Sequence, residues 1–272
     1  MGIPAIFSTV ATIFAIVGLI VVMFVYREPE YVSDGKKDAQ VVQKKTLGQA
    51  ILGIFKVLSD MRFVFFLVVI AFFWFIYVQI YNLIPLFLRF IDPEAPVELY
   101  TLANPLMIVA FQLLVTKLVK KWSPVKSIIF GILVTTAGMA INVIPVMLFT
   151  DIASKVSIIG FALPIAGIFM ILSIASMAVG EMMASPRIYE YIGAIAPKGE
   201  EGLYLGYANL PIAIGSIVGA PIGGAIFEYF ISSPAGRGEP IQAVTMWLIV
   251  ALMGVISMVG LGIYNRILVK PA

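Results

Sequence analysis

The chain has 272 residues, of which 61% are hydrophobic and 12% charged, with a formal net charge of +3. Soluble domains carry about twice that charged fraction, so a water-soluble globular fold is excluded. Cysteine and histidine are both absent, which removes disulfides, thiol nucleophiles, iron–sulfur ligation, His-containing metal sites and the His-based triad.

Several apolar runs reach the ~20 residues a helix needs to cross the hydrocarbon core. They are long and continuous, without the alternating ~10-residue segments of a membrane barrel. The expected fold is therefore an all-α integral membrane protein of seven transmembrane helices. The first span covers about residues 4–26. With no basic leader and no cleavage site, it reads as a membrane helix and not as a signal peptide. A polar linker follows at 27–61. Within it Thr46-Leu47-Gly48-Gln49 resembles a capping box, and Ile51, Ile54, Phe55 and Leu58 share one helical face. That segment reads equally as a short interfacial helix or as an ordinary linker.

The remaining spans are expected at about 63–90, 100–120, 126–149, 157–195, 203–230 and 242–265, so residues 62–272 form a six-helix bundle. Counting Lys and Arg on alternate sides places Arg27, Lys36, Lys37, Lys44, Lys45, Lys56, Arg62, Lys117, Lys120, Lys121, Lys126, Arg187, Lys198, Arg266 and Lys270 together. Only Arg89, Lys155 and Arg237 fall opposite. Basic loops favour the cytoplasm. The expected topology has the N-terminus outside and both the 27–61 linker and the C-terminus inside a cell (inner or plasma) membrane. The basic balance is then a topology signal, and no nucleic-acid partner is expected.

Few polar residues interrupt the spans. Glu181 ends the uncharged run Val156–Gly180. If its helix continues to Ile195, Glu181 sits near mid-membrane, where an ionisable group is costly and faces a polar cavity. There it could hold a substrate ammonium group or a proton. If the helix ends near Pro186, Glu181 lies at the cytoplasmic interface instead. Pro186 is expected to kink the span, and Pro85 the second one. Ser185 lies one turn beyond Glu181. The second span carries Trp74, Tyr77, Gln79, Tyr81 and Asn82, with Tyr77 and Tyr81 on one face; packing and a cavity-facing stripe are equal readings. Asn104-Pro105 opens the third span, with Gln112 two turns on. Gly215, Gly219 and Gly223, four apart, predict a close helix–helix approach. There is no P-loop, no Gly-x-Ser-x-Gly elbow and no nucleophile–base set, which argues against ATP-driven transport by this chain and against an enzyme. No cofactor or metal is expected.

Four segments carry a resemblance to a known family: Phe73-Trp74-Phe75-Ile76-Tyr77-Val78-Gln79, Asn104-Pro105-Leu106, Ser123-Pro124-Val125-Lys126 with Gly131, and Glu181-x-x-x-Ser185-Pro186 followed by Ala196-Pro197-Lys198, Gly202 and Gly206. In that order they resemble the seventh to eleventh helices of a major facilitator superfamily transporter, and more narrowly the proton-dependent oligopeptide transporters. The resemblance covers about 62–265 and makes residues 1–26 the last helix of a first half. It implies secondary active, proton-coupled transport of a small solute, with di- and tripeptides the first expectation. The alternative is a transport-inactive membrane subunit or truncated gene product, or a transporter of another small organic solute. It also implies an N-terminal six-helix half as partner, in the same gene or as a separate chain. The resemblance gives Glu181 the role of holding a peptide amino terminus and Asn104 a role in peptide binding. Trp74, Tyr77, Gln79 and Ser185 complete the candidate substrate and proton site. Two positions depart from the family: Val78 stands where a Glu usually precedes the Gln, and Ala208 where Trp often follows the second glycine.

Overall fold

The computed structural model describes residues 57–158 and 160–268, together with 12–13, 16–19 and 23–24. The chain divides into two units, 1–46 and 47–272. Of the span expected at 4–26, residues 12–13 and 16–19 are α-helical. The rest of that span, and Thr46, Ile51, Ile54 and Phe55 of the linker, lie outside the described residues. The described part of the second unit contains six helices long and apolar enough to cross a membrane: α1 (Met61–Ile91), α2 (Val97–Val119), α3 (Pro124–Leu148), α4 (Ile165–Ile195), α5 (Glu201–Gly236) and α6 (Ala243–Ile267). The protein is thus a multi-pass helical membrane protein.

Local chemistry sets the helix ends. Asp60 caps α1, its Oδ1 accepting from the amides of Arg62 (3.1 Å) and Phe63 (3.2 Å). Ser123 caps α3 by accepting from the Lys126 amide, and Pro124 occupies the first turn, where no N–H is needed. The start of α4 differs from the expected position near 157. Residues Lys155–Ile158 and Phe161–Pro164 form an antiparallel hairpin, β1 and β2, and the helix begins only at Ile165. The reason is local: Gly160 has φ 83°, and Pro164 is extended with ψ 147°, so no helix runs through either. An uninterrupted apolar run could not reveal this, because a hairpin and a helix end share that composition.

Further on, α4 is continuous from Ile165 to Ile195 with Pro186 inside it. The helix tolerates Pro186, which withholds one hydrogen bond from the Met182 carbonyl. In α1 the regular helix stops at Tyr77, tightens to a 3-10 turn over Val78–Ile80, and resumes at Leu83. Pro85 has no N–H to offer the Tyr81 carbonyl, so one bond of the α-helical ladder is missing at this point. The Tyr81 amide bonds the Val78 carbonyl at 3.0 Å instead, and Asn82 Nδ2 donates to the same oxygen at 3.0 Å.

The core forms around α1, whose Phe63, Phe66, Phe73, Ile76 and Ile80 are almost wholly buried. Small residues let its neighbours close in. A Cβ on Gly215 would lie 2.7 Å from Trp74 Cβ, and one on Gly219 would lie 2.8 Å from Val78 Cγ1. Gly223 lies against the Gln79 side-chain amide. The glycine series of α5 therefore fits over the Trp74–Gln79 stretch of α1. A second seam joins α3 to α4, where a Cβ on Gly131 would fall 2.5 Å from the Gly180 carbonyl oxygen and 2.8 Å from Ala184 Cβ. Hydroxyls add ties of their own: Ser127 Oγ donates to the Met183 carbonyl (2.8 Å) within the α3–α4 seam, and Ser257 Oγ on α6 donates to the Val69 carbonyl of α1 (2.7 Å).

Gly131→Ala should destabilise the bundle by ~1–3 kcal/mol, because the obstructing atoms are backbone and Ala184. Gly224→Ala, where nothing lies within 4 Å of the added carbon, should leave stability within about 0.5 kcal/mol. Thermal unfolding of the two variants in detergent measures the difference.

Candidate functional site

Glu181 lies about 24 Å along α4 from its start and about 21 Å from its end, at 1.5 Å per residue. The continuity of α4 through Pro186 meets the condition under which the sequence puts Glu181 near the middle of its span. Glu181 is at mid-span.

The break in α1 brings Tyr77 and Tyr81 to the level of Asn104, about two turns into α2. There Asn104 is buried and hydrogen-bonded on both sides. Tyr81 Oη donates to Asn104 Oδ1 at 3.3 Å, Asn104 Nδ2 donates to Tyr77 Oη at 2.6 Å, and Tyr77 Oη donates to Glu181 Oε2. The chain spans three helices and ends at the carboxyl group. Every donor points towards Glu181, and each bond polarises the next. Trp74 packs edge-on against Tyr77, ring centroids 5.4 Å apart at 83°, and fixes the ring one turn below the break. Among the described residues no Lys or Arg forms an ion pair with Glu181. The carboxyl group can therefore take a proton or an external cation without displacing an internal one.

The structure brings together Glu181, Tyr77, Asn104 and Trp74 from the expected set. Ser185 is half-buried one turn from Glu181 and takes no part in the network. Gln79 is elsewhere: fully buried, it donates through Nε2 to the Phe75 carbonyl (2.9 Å) and the Gly219 carbonyl (3.0 Å). Its place is the seam between α1 and α5. The outermost member of the network, Tyr81, was legible only as part of the aromatic stripe. Its signal is the four-residue spacing from Tyr77. Tyr81 is 52% exposed and borders a cavity of about 320 Å³, with Asn82, Pro85, Leu86, Arg89 and Ala220 on its walls. That cavity gives the network an opening towards the end of the bundle that carries Arg89.

No protein-family model matches the chain. Over 211 residues it is 23% identical to the multidrug resistance protein MdtH of Yersinia enterocolitica, a match covering 77% of this chain and 46% of that protein. The protein of the same name from Aeromonas salmonicida is 22% identical over 208 residues, 76% of this chain and 46% of the relative. The chain spans about half the length of the curated relatives it matches.

Tyr77→Phe removes the hydroxyl that both Asn104 and Glu181 use. It should cost ~1–3 kcal/mol by stranding buried polar groups. Tyr81→Phe, at a half-exposed position, should cost less than about 1 kcal/mol. Thermal unfolding of the detergent-solubilised protein distinguishes the two.

Proposed function

We propose that this chain is one half of a two-bundle secondary transporter of the major facilitator type. In this reading it moves a small organic solute bearing a positive charge, and Glu181 binds that charge or the coupling proton. The observation that carries the proposal is a carboxyl group at the middle of a 31-residue membrane helix, held by a tyrosine hydroxyl and lacking a basic partner among the described residues. Ionisable groups at that depth are retained where they face a substrate or ion path. It is a binding and carrying role, without the chemistry of an enzyme.

The hydrogen-bond chain suggests how occupancy is sensed. With Glu181 ionised, Tyr77 donates to it and ties α1 to α4. A proton on Glu181 turns the acceptor into a donor, and a bound ammonium group occupies the acceptor lone pairs. Either event competes with the Tyr77 bond and loosens α4 from the broken segment of α1, which Asn104 also links to α2. Discontinuous helices beside a midplane site are a recurring device of such carriers.

The need for a second bundle is supported by the outer faces of α2 and α5. Val109 and Leu113 on α2 and Ile217 on α5 are 73–85% exposed. The same face region of α2 carries a Gln112–Thr116 hydrogen bond of 3.1 Å. Polar side chains paired on an uncovered span belong against protein more than against lipid tails. The proposed partner is an N-terminal six-helix half, and the roughly half-length coverage of the relatives supports it. Residues 1–26 would be the last helix of that half. The proposed setting is a cell membrane with the Lys-rich end of the bundle in the cytoplasm.

For the solute, the multidrug resistance named for the relatives favours drug molecules, and the Glu181 carboxyl group favours those bearing a positive charge. The link between Glu181 and Asn104 through the Tyr77 hydroxyl supports small peptides as a second reading, since the resemblance gives both residues a role in peptide binding. In either case Val78 requires a coupling route other than the one that family uses.

Glu181→Gln in the complete two-bundle protein, reconstituted in vesicles with an imposed proton gradient, should abolish solute movement. Undiminished flux would remove Glu181 from the site. An immunoblot of native membranes with an antibody to residues 265–272 should give a band of roughly twice the 29.6 kDa of this chain, as two joined bundles require. A band at 29.6 kDa would instead call for a separately encoded half.

A further inference from the structure

The geometry points to a binding site for the headgroup of an anionic phospholipid at the Lys-rich end of the bundle, between the start of α3 and the end of α6. The proposal rests on the membrane reading of the fold and not on the transport cycle.

A cavity of about 200 Å³ lies there, walled by Ser123, Val125, Lys126, Ile129, Phe130 and Asn265. Its composition changes along α3. The hydroxyl and ammonium groups of Ser123 and Lys126 lie at the helix start, the amide of Asn265 comes from the end of α6, and Ile129 and Phe130 lie one turn deeper along α3. An occupant must therefore be charged at one end and apolar at the other. Its charge must be negative. No carboxylate lines the cavity. Lys117, Lys120, Lys121 and Lys126, all exposed on this turn, form no ion pair among the described residues. Glu190, on α4, is engaged by Arg187 at 2.5 Å.

The Lys126 ammonium group is also held in place. Its Nζ sits 4.9 Å from the centre of the Trp122 ring and 6.0 Å from that of Phe130, close enough for cation–π attraction. Four lysines that merely face water would need neither a cavity nor an aromatic rest. The start of α3 adds the positive end of its dipole. A phosphodiester seated on Lys126 and Ser123 would lead its acyl chains along Ile129 and Phe130 into the bilayer. Basic pockets between membrane helices hold anionic headgroups in this manner.

The test uses the full chain in detergent, titrated with phosphatidylglycerol or phosphatidylcholine of the same acyl chains and read by native mass spectrometry. Wild-type protein should retain phosphatidylglycerol about fivefold better, as one well-placed lysine provides. Lys126→Gln should remove the preference, while Lys155→Gln at the opposite end should leave it intact. Equal retention of the two lipids by wild type, or an unchanged preference in Lys126→Gln, overturns the proposal. Displacement of phosphatidylglycerol by inorganic phosphate at matched concentration also overturns it, marking a free-anion site. Should Lys126→Gln fail to fold, bromine-labelled lipids decide the matter in the wild-type protein. Brominated phosphatidylglycerol should quench the half-buried Trp122 more than brominated phosphatidylcholine does, and Trp122→Phe should abolish the difference. Trp74 and Trp247 are buried and report poorly on the rim. Equal quenching by both lipids overturns the assignment.

Discussion

A peptide group without a hydrogen-bond partner in hydrocarbon costs several kcal/mol, and this single constraint organises the bundle. Helices answer most of it. Where the helical ladder fails, a side chain steps in: Asn82 Nδ2 reaches the Val78 carbonyl at the break in α1. Other side chains use the second lone pair of carbonyls already in a ladder, so that α1 is tied to α5 by Gln79 and to α6 by Ser257, and α3 to α4 by Ser127. At the Lys-rich end, Arg187 Nη2 donates to the Val119 carbonyl at 2.8 Å and satisfies the last turn of α2 from α4. Each tie is also a positional constraint, because it fixes the rotation of one helix against another.

Close approach and polar pairing are coupled in this arrangement. Gln79 can reach the Gly219 carbonyl only because Gly219 and Gly223 carry no side chains to hold α1 away. The same closeness fixes the segment just before the break in α1, and so the direction in which Tyr77 and Tyr81 project. The network at Glu181 thus depends on a glycine seam on the far side of α1. A residue that looks like a ligand contact in sequence can serve the site from behind.

The site itself is a short relay with one open end. Its inner terminus is a carboxyl group at mid-span. Its outer terminus, Tyr81, meets a cavity wall shared with Arg89. Three helices, α1, α2 and α4, meet in these four side chains.

Composition and run length alone determined that the chain is a helical membrane protein. They also located the six described spans, because hydrophobic length is a direct readout of bilayer thickness: four of them to within about three residues at both ends, while α4 begins eight residues later than expected and α5 ends six residues later. The sequence named Glu181, Tyr77 and Asn104 as unusual, since polar groups in apolar runs need a reason. It also gave the glycine series a packing role. Three matters were left to the tertiary structure. Whether Pro186 ended α4 could not be read locally, because neighbouring helices decide if a proline is tolerated, and this choice moved Glu181 from the interface to mid-span. The hairpin at 155–164 shared its apolar composition with the helix after it; only backbone geometry at Gly160 and Pro164 separated them. Last, Gln79 and Tyr81 lie two residues apart, yet one faces α5 and the other α2. The 3-10 turn between them changes the angular step per residue, and Pro85, which leaves the Tyr81 carbonyl without its helical donor, follows it.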